Sequence, residues 1–163
     1  RRESELAEVD ALVLPGGEST TIAQLSEIFG IFEPIKQRIK AGMPVYGSCA
    51  GMILLADQIL DAKQGQKTFG GLDITVRRNA FGRQVDSFEA TINGSVGDFH
   101  GVFIRAPRIE RVGDGVEVLG SINDEPVLVR QGNVLAASFH PELSNDARLH
   151  EYFVSITANK KKV

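Results

Sequence analysis

A cysteine lies between two closely spaced glycines in the segment Gly47-Ser48-Cys49-Ala50-Gly51, and it is the only cysteine among 163 residues. The apolar residues before this segment predict a buried strand, and those after it predict a buried helix. Glycines beside a nucleophile let the chain turn sharply from strand to helix without a Cβ clash, as in the G-x-S-x-G elbow. Free N–H groups at the start of the helix favour the reactive thiolate. A small buried thiol without chemistry also fits, so both interpretations stay open on these residues alone.

The length of the chain fits one compact domain, so residues 1–163 are predicted to form a single one. One cysteine leaves no internal disulfide, and no apolar run approaches the ~20 residues that cross a bilayer. The 18 basic and 21 acidic residues are scattered, which gives no sign of a nucleic-acid-binding surface. Three dispersed histidines offer no metal-ligand spacing, so neither a metal nor a cofactor is expected. We expect a soluble, cytoplasmic protein.

Strands and helices alternate in the first half of the chain, and closely spaced strands fill the second. Strands are predicted at Val9–Leu14, Pro44–Gly47, Leu72–Val76, Val85–Ile92, Val102–Ile104, Val116–Ile122, Val127–Arg130 and Val134–Phe139. Helices are predicted from Ser19, from Glu33-Pro34, after Cys49 and over Ala147–Ala158, with a polar interruption from Asp61 to Gly71. This order predicts an α/β sheet with an antiparallel insertion, and binding sites in such sheets form beyond the carboxyl ends of strands.

His140 is the histidine best placed to activate a cysteine at such an edge, because it follows an apolar strand and opens the sequence His-Pro-Glu. His150 is expected on the surface of the last helix, and His100 in a loop. Residues two apart in an extended segment project to the same side, so Glu142 can hold the ring of His140. A base and its orienter then complete a triad with Cys49. The alternative is a histidine at a strand end that its neighbour merely caps.

A thiolate that adds to a carbonyl also needs hydrogen-bond donors for the developing oxyanion. The N–H of Ala50, directly after the cysteine, is one candidate. The glycine turn at Gly16 and Gly17 is the other, because it follows a predicted strand and has no side chains to keep its amides from a substrate. Such a turn by itself is weak evidence for an oxyanion hole, because it is more often structural. Its position at the end of a predicted strand is what supports this prediction.

These motifs together resemble the class I, or triad, glutamine amidotransferases. The resemblance rests on Pro15-Gly16-Gly17, on the cysteine segment and on His140-Pro141-Glu142, in that order along the chain. Longer stretches are similar to the branch of the family that serves pyridoxal 5′-phosphate synthase: Leu14–Thr21, Arg78–Glu89, Gly101–Pro107 and Ser138–Leu143. The resemblance runs from about Arg1 to the last helix.

The resemblance implies a three-layer, flavodoxin-like fold with a mostly parallel central sheet and an antiparallel strand insertion. It implies hydrolysis of L-glutamine to glutamate and ammonia, with the ammonia passed to a separate synthase subunit. Cys49 would form a γ-glutamyl thioester, His140 would transfer protons and Glu142 would orient His140. Gly16, Gly17 and Ala50 would form the oxyanion hole. Pyridoxal 5′-phosphate would be the product of the complex, so no cofactor is expected on this chain.

The resemblance also implies a set of residues that contact glutamine: Gly17, Glu18, Ser19, Arg78, Ile104 and Arg105. An amino-acid substrate carries a carboxylate and an ammonium, which call for a cation, an acid and backbone groups. Without the family, Arg78 and Arg105 would be interpreted as ordinary surface arginines. Members of the family usually begin some tens of residues earlier, so an N-terminal strand and helix are expected to be missing from this chain.

Two other functions stay open at this point. One is a glutaminase that serves a different acceptor, such as the synthase of the imidazole-glycerol-phosphate pathway, although the stretch Arg78–Glu89 favours the vitamin B6 branch. The other is a non-catalytic binding or regulatory domain, because a fold alone does not define a function. The intact residues Cys49, His140 and Glu142 disfavour the second.

Overall fold

A computed structural model describes residues 2–78, 87–95 and 97–160, without the side chains of residues 159 and 160. Its helices are α1 (Glu3–Ala7), α2 (Ser19–Ile28), α3 (Phe32–Lys40), α4 (Ala50–Leu55) and α5 (Arg148–Lys160), with a short 3₁₀ helix at Pro141–Leu143. Its strands are β1 (Leu12–Leu14), β2 (Val45–Ser48), β3 (Ala56–Ile59), β4 (Leu72–Arg77), β5 (Ser87–Gly94), β6 (Phe99–Ile104), β7 (Arg108–Val112), β8 (Glu117–Ile122), β9 (Glu125–Gln131) and β10 (Val134–Ala137).

Seven strands form one sheet in the order β1-β2-β10-β9-β8-β5-β6, and β3, β4 and β7 form a smaller sheet. Strands β1, β2 and β10 run parallel to one another, and the rest of the large sheet continues from β10 through antiparallel pairs. The predicted α/β class, with a parallel part and an antiparallel addition, is confirmed.

The central strands are buried on both faces, and alternate side chains enter two hydrophobic clusters. Val45 and Ala136 pack with helices α1 to α4 and the small sheet, whereas Tyr46 and Leu135 pack with α5. This alternation follows from the two-residue period of a strand. It produces three layers, and it explains why β2 and β10 have continuous apolar sequences.

The parallel strands set the position of the functional site. Leu14 pairs with Gly47 in the register of β1 and β2, and Ser48 pairs with Ala137 in that of β2 and β10. Because neighbouring parallel strands end at the same edge, the glycine turn, Cys49 and the segment before His140 all leave the sheet there. The sequence predicts a site at the carboxyl ends of the strands, and these three segments meet at that edge.

Several elements differ from the sequence prediction. The first strand begins at Leu12, where its pairing with β2 begins, and not at Val9. Strands β3 and β7 were not predicted: β3 directly continues the apolar run of α4, and the alternating charges of β7 hide its period. His100 lies in β6, where it pairs with Thr91 of β5, and not in a loop; its Nε2 lies 2.7 Å from Oε2 of Glu89. The first two residues of the predicted strand Val85–Ile92 lie outside the described residues.

Among the helices described here, none is long and apolar enough to span a bilayer. That residues 1–163 form one domain stays a prediction.

Candidate active site

Cys49 forms the corner between β2 and α4. Its backbone has φ 50° and ψ −103°, and its N–H donates to the carbonyl of Ala137 at 2.8 Å. A positive φ is costly for a residue with a side chain, and such strain is concentrated at functional positions. Cys49 is 7% exposed, and its Sγ lies 3.8 Å from the carbonyl oxygen of Ile104. The corner thus holds a single thiol in a fixed direction at the edge of the sheet.

Neither of the two glycines around Cys49 has a positive φ, so the backbone conformation does not require glycine at these positions. Packing requires it instead. A Cβ at Gly47 would lie 2.6 Å from the backbone carbon of Gly51. A Cβ at Gly51 would lie 2.1 Å from the carbonyl oxygen of Leu14. The strained conformation belongs to Cys49 itself, and the glycines let α4 pack directly against β1 and β2.

His140 lies opposite the thiol, after the end of β10. Its N–H donates to the carbonyl of Val102 at 2.8 Å, and its Nδ1 lies 2.7 Å from Oε1 of Glu142. The His140 side chain is 13% exposed and that of Glu142 is 46% exposed. The expected pairing of these side chains is present, but Glu142 lies in the 3₁₀ turn and not in an extended segment.

The pKa of His140 is raised to about 9 by its surroundings. Its hydrogen bond with the Cys49 thiol contributes most to the increase, burial opposes it, and the hydrogen bond and charge of Glu142 add to it. The ring therefore keeps its proton at neutral pH. The protonated ring thus lies between the thiol and the carboxylate and interacts with both.

Each residue predicted for the oxyanion hole lies beside Cys49 or His140. A Cβ at Gly16 would lie 2.5 Å from Cε1 of His140, so Gly16 packs against the ring. Gly17 has φ +139° and lines the cavity described below. Ala50 is the first residue of α4 and is 1% exposed.

A cavity of about 380 Å³ opens at the thiol. It is lined by Gly17, Glu18, Ser19, Cys49, Ile53, Arg78, Ile104, Arg105 and His140. All six residues predicted to contact glutamine are therefore brought together with the thiol and the imidazole. Ile53 was missed by the sequence reasoning, although its place one helical turn after Cys49 could have indicated it.

Arg78 and Glu18 provide opposite charges to this cavity. The Arg78 side chain is 15% exposed, and one guanidinium nitrogen lies 3.8 Å from Oε1 of Glu18. Its Nε is buried without a hydrogen-bond partner among the described residues and lies 3.9 Å from Oδ1 of Asp61. Burial raises the pKa of Glu18, but hydrogen bonds from Thr21 and the charge of Lys63 outweigh it, so that the pKa lies below its usual value. The cavity wall thus contains a cation and an ionised acid.

A second cavity of about 710 Å³ lies at the amino ends of β2 and β10, beside Met43, Val134 and the side chains of Lys36, Lys40 and Asp57. It contains no cysteine or histidine and lies at the opposite end of these strands from Cys49. Within the described ranges, no three residues of the types that bind metals are grouped together.

Known proteins resemble this chain over nearly its whole length. A profile of the SNO glutamine amidotransferase family matches residues 1–159. Pyridoxal 5′-phosphate synthase subunit PdxT of Streptomyces avermitilis is 60% identical over 164 residues, which cover 98% of this chain and 82% of that protein. The PdxT subunit of Salinispora arenicola is 58% identical, with coverage of 96% and 82%.

Solved structures of glutamine amidotransferases also resemble this chain. The crystal structure of a glutamine amidotransferase superposes with a TM-score of 0.92 at 50% identity, and covers 97% of this chain and 84% of that one. A glutamine amidotransferase of Thermotoga maritima has a TM-score of 0.59 at 16% identity, with coverage of 96% and 67%, and is similar in fold. The chain belongs to the SNO glutamine amidotransferase family.

Proposed function

We propose that this chain hydrolyses the side-chain amide of L-glutamine and delivers the ammonia to the synthase subunit of pyridoxal 5′-phosphate synthase. The observation that carries the proposal is the composition of one cavity, which contains the Cys49–His140 pair together with every residue expected to contact glutamine. The names of the curated relatives support the identity of the partner. The proposal includes the cytoplasmic location expected from the sequence.

The chemistry assigns one role to each member of the triad. The Cys49 thiolate attacks the amide carbon, and the His140 imidazolium donates its proton to the leaving nitrogen, which departs as ammonia. His140 then takes a proton from water, which attacks the γ-glutamyl thioester and releases glutamate and the thiol. Glu142 holds the ring through Nδ1, so that Nε2 faces the reacting atoms.

The charges in the cavity match the two ends of an amino acid. The partly buried guanidinium of Arg78 is suited to the α-carboxylate, and Glu18 is suited to the α-ammonium. Ser19, Ile104 and Arg105 complete the walls around the substrate. Such contacts position the amide for attack, which accounts for much of the rate of a two-step reaction.

The oxyanion formed on the amide oxygen needs donors that are already in place. The N–H groups of Ala50 and Gly17 are assigned this role, with Gly16 shaping the turn against the ring of His140. A peptide N–H at this place costs no reorganisation during the reaction.

Ammonia release from glutamine tests the function directly. The chain alone is expected to release little ammonia, and adding the synthase subunit of Streptomyces avermitilis is expected to stimulate release several-fold. The same mixture with asparagine is the control, because its side chain is one methylene too short for the cavity. No ammonia with the partner present, or equal rates with and without it, would contradict the proposal.

Covalent labelling separates an enzyme from a regulatory domain. A glutamine-analogue electrophile is expected to label Cys49 alone, and excess glutamine is expected to prevent this labelling. Mass spectrometry of the intact chain and of its peptides measures both effects. Labelling that glutamine does not prevent would indicate a reactive thiol without a glutamine site.

Replacing Glu142 with glutamine is expected to move the alkaline limb of kcat/KM. The pKa of His140 is about 9 partly because of the Glu142 charge, so the ring loses its proton as the pH rises through that value. Without the charge the pKa of His140 falls, and the limb moves to lower pH by about one unit. Glu151→Gln, an identical change on the exposed face of α5, serves as the control. An unchanged limb in Glu142→Gln would mean that the charge of Glu142 does not raise the pKa of His140.

A further inference from the structure

The loop between β3 and β4 contacts the cavity wall from outside. Gln66 donates from Nε2 to Oγ of Ser19 at 2.9 Å, although the two residues are 47 positions apart. Asp61 accepts from the backbone N–H of Arg78 at 2.9 Å, and Lys63 lies 3.8 Å from Oε1 of Glu18. One loop therefore contacts three residues that are expected to bind glutamine.

Gln66 also holds the loop in its own shape. Its Oε1 accepts from the backbone N–H of Lys63 at 3.4 Å, and its own N–H donates to the carbonyl of Lys63 at 2.9 Å. Gly65 has φ +78°, which closes the turn between them. Because a backbone N–H can only donate, Oε1 must face Lys63 and the amide nitrogen must face Ser19.

This orientation decides what Ser19 can do. A hydroxyl that accepts from Gln66 keeps its own proton for another acceptor. Ser19 is 3% exposed and lines the cavity, and its hydroxyl donates no hydrogen bond within the part of the chain that the structure describes. The hydroxyl is thus available to donate toward a negatively charged or carbonyl oxygen in the cavity.

We propose that Gln66 is a positioning residue, which holds Ser19 as a hydrogen-bond donor to bound glutamine. The inference rests on the proposed glutaminase function. Gln66 does not touch the substrate, and it acts through Ser19 in substrate binding and not in the chemical step. Lys67 anchors the same loop through Glu27 and lies 5.9 Å from the centre of the Phe32 ring, so the loop is fixed to α2 and α3.

Gln66→Glu tests the direction of the hydrogen bond. A carboxylate cannot donate, so it accepts the Ser19 proton and takes it away from the substrate. We expect KM for glutamine to rise about tenfold with kcat changed less than about threefold, as for the loss of a hydrogen bond to a charged group. Gln64→Glu is the matched control: it makes the same change two positions away, on an exposed side chain, and is expected to leave KM unchanged.

The role of Ser19 is tested in a double-mutant cycle. Ser19→Ala alone is expected to raise KM, and adding Gln66→Glu to it is expected to raise KM no further, because the hydroxyl it acts through is gone. Gln66→Met, which has a similar volume and no donor, is expected to raise KM about threefold and covers the case in which Gln66→Glu does not fold. Thermal melting of each variant reports folding.

The outcomes separate this inference from the proposed function. All assays contain the synthase subunit, and the wild-type rate at saturating glutamine reports the function. A fully active wild type with equal KM values for Gln66→Glu and Gln64→Glu would overturn the role of Gln66 and leave the glutaminase intact. Additive effects of Ser19→Ala and Gln66→Glu would do the same. A wild type without activity would overturn both.

Discussion

Replacing Cys49 with alanine is expected to reduce ammonia release by a factor of about 10⁴ or more, while the chain still folds and still binds glutamine. No second thiol can replace Cys49 in this cavity, because it is the only cysteine of the chain. Alanine carries the same Cβ into the φ of 50° at this corner, so the backbone strain does not change. Only the sulfur is lost.

Binding and turnover are measured separately for this variant. Ammonia release gives the rate in the presence of the synthase subunit, and calorimetry gives the affinity for glutamine. The affinity is expected to stay within about threefold of the wild type, because the charges of Arg78 and Glu18 do not depend on the thiol. Substantial release by Cys49→Ala would mean that another group attacks the amide, and the proposed mechanism would fail.

The grouping of Cys49, His140 and Glu142 at one site could be predicted because the signals of these residues are local. A cysteine between glycines at a strand end and a histidine two residues before a glutamate each imply a geometry within one short segment. The alternation of strands and helices then places both segments at one edge of the sheet. The resemblance to a family added glutamine and the residues of the cavity wall, which spacing alone does not indicate.

Contacts between distant segments could not be predicted in this way. The polar interruption from Asp61 to Gly71 was recognised only as a break, yet it holds Ser19 and Arg78 from outside the cavity. Nothing near Gln66 in the sequence identifies Ser19 as its partner. Strand β3 was missed for a related reason, since its pairing with β4 and not its own composition makes it a strand.

The glycines around Cys49 are another case in which a contact between distant segments could not be predicted. The sequence suggested that they ease a sharp turn, and the structure places the turn in the positive φ of Cys49. Gly51 is needed because the first turn of α4 packs on the carbonyl of Leu14, which lies 37 residues earlier. The motif therefore encodes a contact between α4 and β1 as well as a corner.

Replacing Gly51 with alanine is expected to destabilise the fold by about 3 kcal/mol or more. The new Cβ would lie 2.1 Å from a backbone oxygen of β1, and a backbone atom inside a sheet cannot move as a flexible side chain can. Relief requires α4 to move away from β1. Because Cys49 directly precedes α4, that movement would also separate the thiol from His140, and ammonia release should fall with stability.

Denaturant unfolding measures this effect, and Gly115→Ala provides the matched control. A Cβ at Gly115 would approach only the side-chain nitrogen of Gln131, at 3.3 Å, so its free energy of unfolding should stay within about 1 kcal/mol of the wild type. If Gly51→Ala were as stable as Gly115→Ala, α4 would not pack on β1 as closely as described. The corner at Cys49 would then be set by its own backbone alone, and the second glycine of the motif would need another explanation.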